Sequence, residues 1–114
     1  MFSDDYDDDG QALDIGFGER GGRWTFVLRG ELDIQSAPSL DRALDQAPAG
    51  AEVVLDLRGL GFIDSSGLRA ILSRRRRIRD AGGELRLVRG DNVQRFFDVV
   101  GMTPHLDFVE AERD

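Results

Sequence analysis

The residues that could do chemistry are concentrated in GFIDSSGLRA, residues 61–70. Apolar residues lead into Asp64, Ser65, Ser66 and Gly67, and apolar residues then resume at helical spacing. Serine is a preferred N-cap residue, so capping of a helix accounts for one hydroxyl. The other hydroxyl could be presented for modification, because a phosphate on the first serine, Ser65, would meet free backbone N–H groups and the positive end of the helix dipole. The pattern alone favours a cap and also permits a switch.

The other residue types argue against catalysis at these serines. A nucleophilic serine needs a base within hydrogen-bond reach, and the single histidine, His105, lies beyond the third predicted helix. The chain has no cysteine, which excludes disulfides and thiolate metal sites. It also has no lysine, which a phosphate-binding G-x-x-x-x-G-K-[ST] loop requires. We therefore predict that the chain is not an enzyme and holds no cofactor or metal ion.

Length and charge predict one domain with an acidic arm. The 114 residues suit a single domain, predicted over 11–110 with a short tail over 111–114. Of the net charge of −7, five charges come from aspartates within residues 1–10, which are predicted to form a solvated, disordered tail. No apolar run approaches the ~20 residues of a membrane span. The start does not resemble a signal peptide, so we expect a cytoplasmic protein with no membrane contact.

The only basic cluster is the run RRRR, residues 74–77. Four consecutive helical residues point in all directions, so they cannot form the basic stripe that binding of nucleic acid needs. We expect Arg74, Arg76 and Arg77 to be solvated helix surface or part of a protein interface. Arg75 lies seven residues after Leu68 on the apolar stripe of the helix, so it must extend past the core edge or reach a partner.

Hydrophobic spacing predicts alternating strands and helices. The predicted strands are 12–19, 23–33, 52–57 and 84–88, the predicted helices are about 37–47, 66–81 and 91–102, and a short element closes the chain over 105–110. Gly21 and Gly22 join the first two strands as a hairpin, and each later strand–helix–strand step implies a parallel pair. This order predicts an α/β fold with a mixed, mostly parallel sheet.

Three further residues carry local predictions. Ser36 is expected to cap the first helix, and Asp91 with Gln94 resembles a capping box at the third. Asp33 in GELD, residues 30–33, could initiate the turn before the first helix. Spacing alone does not place Asp33 near Ser65.

Taken together, four motifs resemble the STAS family, the domain of sulfate transporters and anti-sigma factor antagonists. They are GELD at 30–33, VVLDLRGLGFIDSSGL at 53–68, GGELRLV at 82–88 and VQRFFDVVGM at 93–102. Their order and spacing match the family over roughly residues 12–110. The resemblance implies a sheet with helices packed on one side.

The resemblance also implies a bacterial regulator with an on and an off state. Such antagonists bind an anti-sigma factor that is also a serine kinase, which then releases its sigma factor. The kinase uses ATP to phosphorylate the serine after the aspartate, here Ser65, and a serine phosphatase restores the active form. Direct contact with nucleic acid is not implied. The residues expected to contact the partner are Asp33, Asp64, Ser66, Gly67 and Arg69.

Other functions are compatible with the same resemblance. The chain could be a stand-alone STAS subunit of a lipid or anion transport system without a phospho-switch. A nucleotide-hydrolysing enzyme is a more distant alternative. The Asp-Ser-Ser-Gly sequence favours the antagonist, while Arg75 stands where the family more usually has an apolar or aromatic residue.

Overall fold

The computed structural model describes residues 13–111. The predicted tail 1–10 lies outside this range, as do residues 112–114 of the predicted tail 111–114 and Gln11 and Ala12 of the predicted domain. The strands are β1 (Leu13–Arg20), β2 (Arg23–Leu32), β3 (Glu52–Ile63), β4 (Glu84–Val88) and β5 (Phe108–Val109). The helices are α1 (Ala37–Leu44), α2 (Ser65–Asp80) and α3 (Asp91–Val99), and a short 3₁₀ turn spans Thr103–His105.

The five strands form one mixed sheet in the order β1-β2-β3-β4-β5. β1 and β2 are an antiparallel hairpin, and every later neighbouring pair is parallel. Each parallel pair is joined by one helix, as the alternating pattern predicts. The predicted α/β fold with a mostly parallel sheet is confirmed.

The hydrophobic core lies between one face of the sheet and the three helices. Its fully buried side chains include Ile15, Phe26, Leu55 and Leu87 from the strands and Leu40, Ile71 and Phe97 from the helices. The opposite face of the sheet carries ion pairs instead: Glu52 Oε2 lies 3.0 Å from Arg23 and 2.7 Å from Arg86. The helices therefore pack on one side, as the resemblance implied.

β3 is longer than its apolar run suggests. The apolar run predicted a strand over 52–57, followed by a turn or a bulge at 58–61. The strand continues to Ile63, so the stretch is bulged and makes no turn. Two irregularities in the pairing with β2 absorb the polar and glycine residues. Gly59 is needed there, because a Cβ would lie 2.7 Å from the Leu28 carbonyl oxygen. As a result, β2 and β3 run together as far as the pair Leu32 and Ile63.

The ends of the other helices correct two predictions. α1 stops at Leu44 rather than at residue 47. The capping box at α3 is wrong: Gly90 occupies the N-cap position without a side-chain cap, and Asp91 is the first helical residue. The Gln94 amide instead donates to Asp98, one turn further along α3, and to Thr103, where the chain after α3 folds back toward the helix.

Candidate functional site

The pairing of β2 with β3 brings the two motif aspartates to one edge of the sheet. Leu32 and Ile63 are register partners in parallel strands. Asp33 and Asp64 are the next residues of each strand, so both stand at the carboxyl end of the sheet. The Asp64 N–H donates to the Leu32 carbonyl at 3.3 Å, which fixes this neighbourhood. The sequence supplied both residues, and only the strand register places them together.

Asp64, rather than a serine, caps α2. Its backbone is extended, with φ −123° and ψ −172°, and its Oδ1 accepts the Gly67 N–H at 3.0 Å. The Asp64 carbonyl accepts the Leu68 N–H at 3.0 Å. The helix therefore begins at Ser65, one residue earlier than predicted. An aspartate cap also places a negative charge at the positive end of the helix dipole.

The aspartate cap leaves both serine hydroxyls unused. Ser65 is exposed and Ser66 is half-buried. Neither side chain forms a hydrogen bond with any residue between 13 and 111. The capping explanation for the two serines is thus wrong, and the turn presents the Ser65 hydroxyl to the surroundings.

Gly67 lies buried beneath this turn. A Cβ there would lie 2.5 Å from the Leu32 carbonyl oxygen and 2.8 Å from the Leu32 side chain. These distances are shorter than real Cβ contacts, so only glycine lets α2 approach the end of β2 this closely. Gly67 thereby fixes where the neighbouring Ser65 stands.

Asp33 organises the turn that leads into α1. Its Oδ1 accepts the N–H groups of Gln35 at 3.0 Å and Ser36 at 3.1 Å. The buried Ser36 hydroxyl accepts the Asp33 N–H at 2.9 Å and donates to the Glu31 carbonyl at 2.9 Å. Ser36 occupies the predicted N-cap position, but its hydroxyl binds backward into the turn rather than to the helix. This turn leaves Ile34 72% exposed.

A groove of about 450 Å³ runs between α1 and α2 beside the serines. Ile34, Ala37 and Pro38 line one wall, and Ser66, Arg69 and Ala70 line the other. Sequence reasoning identified Ser66 and Arg69 but missed Ile34. An isolated isoleucine directly after the turn-forming Asp33 was the available signal.

Arg74 is buried, which contradicts the prediction of a solvated residue. Its Nη2 lies 2.6 Å from Asp41 Oδ1 and 2.8 Å from Asp45 Oδ1, two α1-side carboxylates spaced four residues apart. Burial disfavours the charged form, but the hydrogen bonds to Asp41 and Asp45 outweigh it and raise the Arg74 pKa above its ordinary value. The residue fastens α2 to α1, because its side chain reaches a helix that the local pattern could not reveal.

The other arginines of the run largely follow expectation. Arg76 and Arg77 are exposed, and Arg77 Nη1 lies 3.5 Å from Asp41 Oδ1. Arg75 is half-buried, and its Nε has no hydrogen-bond partner among the described residues. Arg75 therefore lies at the core edge, as its place on the apolar stripe predicted.

His105 and Ser65 lie at opposite ends of the sheet. It belongs to the 3₁₀ turn before β5, whose first residue pairs with Leu87 of β4. Because β3, β4 and β5 are parallel, His105 is near the amino end of the sheet and Ser65 is beyond its carboxyl end. The histidine cannot serve Ser65 as a base in this fold.

Residues 15–109 match the family model described as "Mlab, STAS domain". The match spans most of the chain, and the chain belongs to the STAS domain family. Within residues 13–111, no helix is both long enough and apolar enough to cross a bilayer.

The chain is also similar to two curated proteins whose names describe regulators. The anti-sigma-B factor antagonist of Bacillus subtilis is 29% identical over 82 residues, covering 70% of this chain and 75% of the relative. The anti-sigma F factor antagonist of Paenibacillus polymyxa is 35% identical over 79 residues, covering 66% and 68%. Both relatives are named for opposing an anti-sigma factor.

A solved antagonist shares the fold in two states. The chain resembles the anti-sigma factor antagonist SpoIIAA in its unphosphorylated form with a TM-score of 0.69 at 21% identity, covering 87% of this chain and 89% of that one. The phosphorylated form of SpoIIAA from Bacillus gives a TM-score of 0.60 at 22% identity, covering 87% and 92%.

Proposed function

We propose that this protein is a cytoplasmic anti-sigma factor antagonist that is switched off by phosphorylation of Ser65. It binds an anti-sigma factor that is also a serine kinase, and binding makes that factor release its sigma factor. The relatives named as anti-sigma factor antagonists support this class of function. The chain acts as a binding partner and a kinase substrate, and a phosphatase returns it to the active form.

The observation that carries the proposal is the exposed hydroxyl of Ser65, which forms no hydrogen bond within residues 13–111. The cap by Asp64 and the close packing of Gly67 hold the turn without using the serine. A kinase can therefore reach the hydroxyl without unfolding α2. Phosphoryl transfer forms a bond from Ser65 Oγ to the γ-phosphorus of ATP, ADP leaves, and a base on the kinase takes the hydroxyl proton.

The unphosphorylated protein offers its partner a small turn whose exposed serine is uncharged. Ser65 and the half-buried Ser66 stand beside the exposed side chain of Ile34 and the groove. The carboxylates of Asp33 and Asp64 are engaged by backbone N–H groups, so they hold the turns as well as border the docking surface. Arg69 is exposed at the same place.

Phosphorylation would act locally on this surface. It adds about −1.5 to −2 charge at pH 7. The helix N-terminus offsets part of that charge within the free protein, so the fold survives. A partner packed over the turn would bury this charge against a surface that offers it no counterion, and even ~3 kcal/mol of such cost weakens binding more than a hundredfold.

Affinity capture followed by mass spectrometry tests the partner. Tagged protein should retain an ATP-binding serine kinase of the anti-sigma type from lysate of the source cells. Ser65→Ala should retain it equally, whereas Ser65→Asp should retain little. Recovery of membrane-transport components without a kinase would favour the transport-subunit reading and contradict the proposal.

Phosphopeptide mapping tests the site. Incubation with the captured kinase and ATP should place one phosphate on Ser65. Ser66→Ala is the matched control, because it removes the adjacent hydroxyl and should still be labelled. Label on Ser66, or persistent labelling of Ser65→Ala, would contradict the assignment.

A further inference from the structure

The groove between α1 and α2 is basic, although the chain as a whole is acidic. Arg69 and Arg77 line its α2 wall, and Asp41 is the acid among its lining residues. The Asp41 carboxylate is already bound by Arg74 at 2.6 Å. Arg69 makes no ion pair within the described part of the chain. Arg74 also lies 2.8 Å from Asp45, and the exposed Arg77 lies 3.5 Å from Asp41. An anion entering the groove would therefore meet Arg69, and beyond it Arg77, whose long contact with Asp41 leaves N–H groups for a second carboxylate.

Apart from these two arginines and Asp41, the side chains that line the groove are small or apolar. Ala70 and Ser73 lie on the α2 wall, and Ile34, Ala37 and Pro38 lie opposite. Small side chains allow the backbone of a third element to approach, and the exposed Ile34 gains from being covered. Two cations are too few for a duplex, whose binding depends on many phosphate contacts. The lining suits a protein segment with one apolar face.

The spacing of the arginines defines what that segment carries. Arg69 and Arg77 are eight residues apart on α2, which corresponds to about 12 Å along the helix axis. We propose that the groove binds an acidic amphipathic helix of a protein partner, whose two carboxylates stand about 12 Å apart and pair with Arg69 and Arg77. This inference rests on the proposed function in that the partner docks at this edge of the sheet.

The same arrangement makes Arg69 the link between docking and phosphorylation. Arg69 follows Ser65 by four residues, so both stand on one face of α2. Long helical side chains lean toward the helix N-terminus, which brings the Arg69 guanidinium over the first turn. A phosphate on Ser65 therefore competes with the partner's carboxylate for Arg69. Phosphorylation both adds negative charge and removes a cation from the groove.

A designed peptide tests the groove without any kinase. The probe is a synthetic amphipathic helix of about 16 residues, roughly 24 Å long, with leucines and alanines on one face and two glutamates eight residues apart. Titrated into ¹⁵N-labelled protein, it should shift amide signals of α1 and α2 that border the groove. Replacing both glutamates by glutamine, or Arg69 by glutamine, should weaken binding about fivefold each.

Arg76→Gln is the matched control, because Arg76 is exposed on the same helix and does not line the groove. Its affinity for the peptide should stay within about twofold of wild type. Three outcomes overturn the proposal: no groove shifts up to about 1 mM peptide, equal binding of the glutamine peptide, or an effect of Arg76→Gln as large as that of Arg69→Gln.

Genetically encoded phosphoserine at position 65 tests the competition. The modified protein should bind the acidic peptide more weakly, and the loss should be smaller in the Arg69→Gln background. Equal losses in both backgrounds would overturn the role of Arg69. If the peptide binds as expected but no kinase is captured, the proposed function is wrong and the proposal that the groove binds an acidic helix is supported. If a kinase is captured and Arg69→Gln binds it as tightly as wild type, the groove proposal fails alone.

Discussion

The entrances to α1 and α2 use the same residue types in opposite ways. An aspartate directly follows each of the two strands, and its carboxylate accepts one or two backbone N–H groups of the next few residues. At α1 the serine, Ser36, is 2% exposed, and its hydroxyl both donates and accepts hydrogen bonds. At α2 the serine, Ser65, is exposed and its hydroxyl is unbonded within residues 13–111.

The difference shows that burial, rather than residue type, decides which hydroxyl is available. Ser36 has become part of the turn's own hydrogen-bond network, so modifying it would require the turn to open. Ser65 stands outside the corresponding network, because Asp64 alone caps the helix. The turn before α1 is closed by its own hydrogen bonds, whereas the turn before α2 leaves a serine exposed.

Gly67→Ala should have the largest effect, because Gly67 is packed beneath the turn that exposes Ser65. The new Cβ would lie 2.5 Å from the Leu32 carbonyl oxygen, so α2 must move away from β2. We expect a loss of about 3 kcal/mol in the free energy of unfolding, measured by chemical denaturation. Gly61→Ala is the control, since its nearest atom would be 3.9 Å away. Similar losses for the two variants would refute the close approach.

Ser36→Ala and Ser65→Ala compare the two serines directly. Loss of the Ser36 hydroxyl leaves the Asp33 N–H and the Glu31 carbonyl without their partner. The expected cost is about 2 kcal/mol. Ser65→Ala should change stability by less than ~0.5 kcal/mol. Equal losses in the free energy of unfolding, measured by chemical denaturation, would contradict the difference between the buried Ser36 and the exposed Ser65.

Asp64→Ala should have a moderate effect at the entrance to α2. It removes the acceptor for the Gly67 N–H, which lies 3.0 Å from Asp64 Oδ1. We expect a loss of about 1 kcal/mol, the usual cost of removing an N-cap. Asp64→Asn keeps the side-chain oxygen and should restore most of the stability. If Asn fails to rescue, the charge rather than the hydrogen bond holds the turn.

Asp98→Asn should have the smallest effect and extends the comparison to a carboxylate bound by side chains. Hydrogen bonds from Thr103 and then Gln94 lower the Asp98 pKa below its ordinary value. A lowered folded-state pKa stabilises the protein above the unfolded pKa, near 4, and this contribution disappears as pH falls through the folded value. The stability difference from wild type should therefore be constant near neutral pH and shrink below about pH 4. A difference that grows on acidification would contradict the direction of the shift.

Much of the fold could be read from local pattern. Alternation identified the hairpin strands, and the helical stripes placed α1, α2 and α3 to within a few residues at each end. Boundaries failed where a long-range contact overrode the pattern. β3 passes through the polar stretch at 58–61 because β2 continues to pair with it. Gly90 rather than Asp91 occupies the α3 cap position, where a Cβ would meet the Leu57 carbonyl.

The candidate site, like the fold, could be predicted from the sequence only in part. The sequence by itself determined the residue types of the site, their order and the STAS resemblance, because these follow from local spacing and motif. Only the tertiary structure decided that Asp33 stands at the same sheet edge as Asp64, that Asp64 caps α2 in place of Ser65, and that Arg74 is buried against α1. Strand register, burial and ion pairs between helices join residues about 30 positions apart, and no local pattern encodes such contacts.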